Sequence, residues 1–91
     1  MKYRSRTEIV GQILEAAGDG ATKTSIMFKA FLNHRQLQEY LTLLVEHGLI
    51  NYDRAEREFA TTEKGRRFLM LYDRINQLQI EELEISELPR M

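Results

Sequence analysis

Residues 22–50 read TKTSIMFKAFLNHRQLQEYLTLLVEHGLI, and the punctuation within this stretch decides the fold. Asn33 is a strong helix N-cap. Gln36, three positions later, completes a capping box in which each side chain satisfies a backbone N–H of the other's residue. The helix so opened runs to Glu46 or His47, with Leu37, Tyr40, Leu41 and Leu44 on one side, and Gly48 ends it. Just upstream, a shorter helix is expected over about Thr24 to Phe31. Thr22 or Thr24 would cap it, and Ile26, Met27, Ala30 and Phe31 would form its apolar face. Only Leu32 separates this helix from the Asn33 cap, so two helices meet across a very short turn.

The flanks extend the pattern. Ser5 followed by Glu8 predicts another capping box. Ile9, Ile13, Leu14 and Ala17 then mark one helical face, and Gly18-Asp19-Gly20 closes that helix. After Gly48 the texture changes. Leu49 to Tyr52 and Glu58 to Thr61 read as two strands of a hairpin around the polar turn Asp53 to Arg57. Thr61 or Thr62 opens a last helix over about residues 63–85, some 35 Å long at 1.5 Å per residue. Phe68, Ile75 and Glu82 share one heptad position, and Leu71, Leu78 and Ile85 share another. Tyr72 widens the apolar surface.

The chain has 91 residues, 43% of them hydrophobic and 30% charged, and fits one small domain followed by a helix. A core this small gains from a subunit interface. The sequence contains no cysteine, which excludes disulfides, thiolate zinc sites and iron–sulfur ligation. No apolar run approaches the roughly 20 residues of a membrane span, and the basic opening MKYRSR leads into a polar helix, not a signal sequence. No membrane association and a cytoplasmic location are expected. The net charge of −1 hides an asymmetry: residues 1–77 carry 12 basic against 10 acidic side chains, and residues 78–91 carry one against four. A mildly basic body with an acidic tail is compatible with tuned binding to nucleic acid.

Helix, short helix, capped helix, hairpin, long helix is the plan of a winged helix-turn-helix, mainly α with one small β-hairpin. Residues 1–62 would form the winged head, residues 63–85 a coiled-coil dimerisation helix, and residues 86–91 a flexible acidic tail. With Leu37, Tyr40, Leu41 and Leu44 turned inward, Arg35, Gln38, Glu39, Thr42 and Glu46 face outward. Arg35 is placed to meet guanine and Gln38 adenine. Asn33 and the free N–H groups of the first turn suit a phosphate. Arg54 and Arg57 sit at the tip of the wing, Lys2, Arg4 and Arg6 form a basic arm, and Lys23, Lys29 and Lys64 are further phosphate candidates. Glu39 and Glu46 oppose this reading, because carboxylates repel phosphate. Solvated surface charge is also the ordinary fate of lysine and arginine.

The last helix extends beyond what so small a body can cover. A second copy is its expected partner, through Phe68, Leu71, Tyr72, Ile75, Leu78, Glu82 and Ile85. In an antiparallel pair Glu82 would lie near Lys64, Arg67 or Arg74 of the other chain.

The run Lys23-Thr24-Ser25-Ile26-Met27-Phe28-Lys29-Ala30, with Leu32-Asn33, Tyr40-Leu41, Leu44, Gly48-Leu49-Ile50 and Thr61-Thr62-Glu63-Lys64-Gly65, resembles small archaeal winged-helix DNA-binding proteins and predicted transcriptional regulators. The resemblance covers about residues 5–80. It implies a dimer whose C-terminal helices pair as an antiparallel coiled coil, with a DNA-binding head at each end. It also implies duplex binding through Asn33, His34, Arg35 and Gln38 and through the wing at Arg54 and Arg57. Some relatives are abundant nucleoid proteins and others regulators. A pI of about 6.1 and the acidic tail depart from the strongly basic members and favour a regulator with few sites.

Catalysis is not expected. His34 and His47 lie at opposite ends of one helix, roughly 20 Å apart, and cannot share a metal; His47 suits the helix dipole. Glu81, Glu82 and Glu84 point in different directions. Gly18-Asp19-Gly20 follows a helix, not the strand that a phosphate loop needs, and no hydrolase motif occurs. No cofactor, metal or small-molecule ligand is expected. The competing function is a winged module for protein contacts, or a nucleoid-organising protein.

Overall fold

The computed structural model describes the backbone of residues 4–87 and the side chains of residues 4–75. Its elements are α1 (Arg6–Ala17), α2 (Lys23–Lys29), α3 (His34–Glu46), β1 (Ile50–Asp53), β2 (Glu58–Thr61) and α4 (Glu63–Glu87). This is the expected order, four helices and one antiparallel hairpin.

The helix starts follow the capping residues. Ser5 accepts from the Glu8 N–H and Thr22 from the Ser25 N–H, while Asn33 and Gln36 form the complete reciprocal box. The ends of α2 and α3 share one geometry. At α3, Gly48 takes φ 72°, the Leu49 N–H reaches Leu44 O at 2.9 Å, and the Gly48 N–H reaches Val45 O at 3.1 Å. At α2, Phe31 takes φ 53°, the Leu32 N–H reaches Met27 O at 3.1 Å, and the Phe31 N–H reaches Phe28 O at 3.3 Å. Both are Schellman motifs, which satisfy the last free carbonyls of a helix through a left-handed residue. This corrects the expected extent of α2. The helix stops at Lys29, and Phe31, assigned above to its apolar face, is instead 82% exposed in the turn.

The core lies between the first three helices and the base of the hairpin: Ile13 and Leu14 from α1, Ile26 from α2, Leu37, Leu41 and Leu44 from α3, and Ile50 from β1. Full burial of such side chains contributes about 1.5–3 kcal/mol each before the entropy of ordering them is counted. In the hairpin Ile50 pairs with Thr61 and Tyr52 with Phe59. A single further bridge joins Ala21 to Phe59 through bonds of 2.8 and 2.9 Å, so the entry to α2 forms a third rung of the sheet. Thr61, the buried polar side chain of the core, donates to Leu14 O at 2.7 Å and locks the wing to α1.

The helix α4 leaves the head at a tight crossing. A Cβ on Gly65 would stand 2.4 Å from Leu49 O and 2.6 Å from Thr61 Cγ2, so only glycine fits there. Phe68 and Leu69 then pack on the core, and Tyr72 lies against Gly11. Phe68 and Tyr72, expected at a subunit seam, are therefore partly used by their own head. Met70, Leu71 and Ile75 remain exposed at 62%, 60% and 55%. The seam residues Leu78, Glu82 and Ile85 lie outside the described side chains, as does residue Lys2 of the basic arm.

Candidate functional site

The outward side of α3 is as the periodicity requires: His34, Arg35, Gln38, Glu39, Thr42 and Glu46 are all exposed. The opposite side, with Leu37, Leu41 and Leu44 in the core and β1 alongside, fixes this helix, and Asn33 and His34 at its capped N-terminus are exposed. Between α3 and the hairpin runs an open cleft of about 310 Å³, lined on one wall by Gln38, Thr42 and Glu46 and on the other by Tyr52 and Phe59. The two aromatic rings pack at 4.7 Å, inclined by 41°. Tyr52 was not singled out from the sequence. Strand alternation carried the signal, since it places Tyr52 on the same face of β1 as the buried Ile50, towards α3.

The polar side chains of α3 are not idle. Gln38 Oε1 accepts from Lys23 Nζ, and Gln38 Nε2 donates to Thr42 Oγ1 at 3.2 Å. Thr42 in turn donates to Gln38 O at 2.9 Å. Gln38 is therefore oriented from both ends of its amide and must exchange these partners before it can meet a base edge. Arg35 Nε lies 3.6 Å from Glu39 Oε1, both side chains largely exposed. Such a pair contributes at most about 0.5 kcal/mol, so an incoming acceptor easily draws Arg35 away.

The wing tip is built by Asp53, whose Oδ1 accepts from the N–H groups of Ala55 at 2.9 Å and Glu56 at 3.3 Å. This side-chain turn takes the place of an Asn-Gly dipeptide. Arg57 then adopts φ 54°, a conformation that glycine fills at least cost. Arg54 and Arg57 are exposed on either side of the tip.

Two of the cations assigned to phosphate are committed elsewhere. Arg4 is only partly exposed, and its guanidinium donates to Ala30 O, to Gln12 Oε1, and to Phe31 O at 2.8 Å. It clamps the turn between α2 and α3 and does not extend as a free arm. Lys64 Nζ donates to His47 O at 2.8 Å, closing the end of α3. No signal in the sequence announces such bonds, because their partners lie 26, 27 and 17 residues away. Lys23 is tied to Gln38, while Arg6 and Lys29 join no ion pair among the described residues. His47 Nδ1 lies 2.9 Å from Leu43 O, which makes it part of the helix end, as expected from its position.

No group of three or more metal-ligating side chains occurs among the described residues, and no helix there is long and apolar enough to cross a membrane. What the residues bring together is a capped, exposed helix, a wing and a cleft between them.

These features define a winged helix-turn-helix protein, and the chain belongs to that family: the family model matches residues 3–80. Among solved structures the chain is similar to Sso10a-2, a DNA-binding protein from Sulfolobus solfataricus, at 26% identity and a TM-score of 0.74. The match covers 97% of this chain and 99% of the other. No curated protein matches.

Proposed function

We propose that the protein binds double-stranded DNA with sequence preference and acts as a homodimeric transcriptional regulator. The observation that carries the reading is the outward face of α3, presented beside the wing across an open cleft and free of core packing. The similarity to a DNA-binding protein over nearly the whole chain supports it. In this reading α3 enters the major groove, where Arg35, released from Glu39, meets guanine and Gln38, released from Lys23, meets adenine. Asn33, His34, Thr42, Lys23 and Lys29 line the flanking backbone. Arg54 and Arg57 hold the phosphates or minor groove at the wing. The exposed apolar side chains Met70, Leu71 and Ile75 of α4 supply the subunit contact.

Fluorescence anisotropy with mixed-sequence duplexes at several salt concentrations tests the reading. Log affinity should fall linearly with log salt, by about 0.9 for each phosphate contacted. Arg57→Gly, which removes the charge and keeps the turn, should weaken all sequences alike and reduce the slope by about 1. Arg35→Ala should cost about 1–3 kcal/mol at a preferred site and relax its base preference. Absence of binding at low salt to any duplex in a randomised pool would overturn the proposal. One feature favours a protein contact as the second reading: Phe28 and Phe31 stand 70% and 82% exposed beside the start of α3.

A further inference from the structure

A groove of about 280 Å³ opens on the head between α1, the end of α3 and the start of α4, with Arg6, Val10, Leu43, His47, Leu49 and Phe68 among its walls. Its floor is apolar and its rim carries Arg6, which joins no ion pair among the described residues, and the imidazole of His47. Phe68, Leu71 and Ile75 recur at i, i+3 and i+7, so they share one side of α4. The exposed stripe of Leu71 and Ile75 therefore runs straight into the groove through Phe68.

We infer that this groove receives the segment Glu87–Met91 of a second copy of the chain. The inference rests on the homodimer reading above and gives that dimer a second contact. When two such stripes are laid antiparallel so that Ile75 meets Leu78 of the second copy, Ile85 of the second copy falls beside Phe68. The residues that follow it then pass Gly65 and Lys64 towards the groove. Their chemistry matches: Glu87 for the guanidinium of Arg6 at the rim, Leu88 and Met91 for the apolar floor, and Pro89, which offers no N–H to leave unpaired. The occupant must come from another chain. From Phe68 to Glu87 the helix carries the backbone about 29 Å away at 1.5 Å per residue. Four extended residues return at most about 14 Å of that.

The chain has no cysteine, so introduced thiols report without background. A Thr7→Cys chain, with the thiol at the groove, is mixed with a Leu88→Cys chain, allowed to exchange subunits and mildly oxidised. Sedimentation of the same samples gives the mass. The two-chain disulfide should form at least about tenfold faster than with a Glu15→Cys chain, because docking holds the thiols at millimolar effective concentration. Glu15 is exposed on α1 but borders a different hollow, beside Lys29. A dimeric mass with equal rates for the two mixtures overturns the groove contact alone. A single-chain mass at micromolar concentration overturns the dimer and this inference together. Rapid self-crosslinking of Leu88→Cys would indicate parallel helices and overturns it as well.

Discussion

The ends of α2 and α3 are the same structure made from different residues. Each closes with a left-handed residue, followed by a leucine whose N–H reaches back to the helix. At α3 the left-handed residue is Gly48, with nothing within 4 Å of the place where a Cβ would stand. At α2 it is Phe31, whose side chain pays the steric cost of φ 53° and gains almost no burial in return. Local preference explains the first ending completely and argues against the second. What holds the second is tertiary: Leu32 is buried, the Asn33 box begins immediately, and Arg4 binds the carbonyls of Ala30 and Phe31. One ending is written in its own residues, and the other is imposed by its surroundings.

Substitutions can separate these causes. The largest effect is expected from Gly48→Val, since a β-branched residue is an outlier at φ 72°. A loss of about 2 kcal/mol should appear in urea unfolding monitored by circular dichroism. Arg4→Ala should cost about 1–2 kcal/mol, through bonds from a charged donor to two carbonyls near the surface. It should also raise amide exchange at Leu32 and Asn33; unchanged exchange there would show that the turn stands without its clamp. Asn33→Ala should cost about 1 kcal/mol by removing the cap that follows Phe31. The smallest and most pointed is Phe31→Gly, which should stabilise the protein by about 0.5–1 kcal/mol and raise Tm by a few degrees. A loss of stability instead would mean that the phenyl ring makes a contact worth more than the strain.

The same distinction explains how much of the fold is legible in the sequence. Capping residues, Gly48 and the 3.6-residue periodicity act within a few positions, so the order of elements and the inward and outward faces of α3 followed from them. Strand alternation marks the hairpin, while its turn is made by Asp53 and a left-handed Arg57 and carries no Asn-Gly or Asp-Gly dipeptide. The site was less legible. Exposed positions on α3 were identifiable, but the bonds that hold Gln38 between Lys23 and Thr42 were only partly local. Arg4 and Lys64 have no periodic signature, and a cation near a sequence end reads the same whether it reaches solvent or folds back. Phe68 fits the heptad seam and Tyr72 widens it, yet proximity to α1 and to the core claims part of their surface first.

The close approach of Gly65 to Leu49 O also has a mechanical meaning. From that crossing to Glu87 the helix forms a lever of about 33 Å. A tilt of only about 10° at its root would swing the far end by about 6 Å on that length. Against Leu49 O the contact is backbone on backbone, which cannot re-pack as a side chain would to absorb such a tilt. The aim of everything that α4 carries is thus set in its first turn, where its backbone touches the head, and any larger residue at position 65 would mis-point it before it weakened the fold elsewhere.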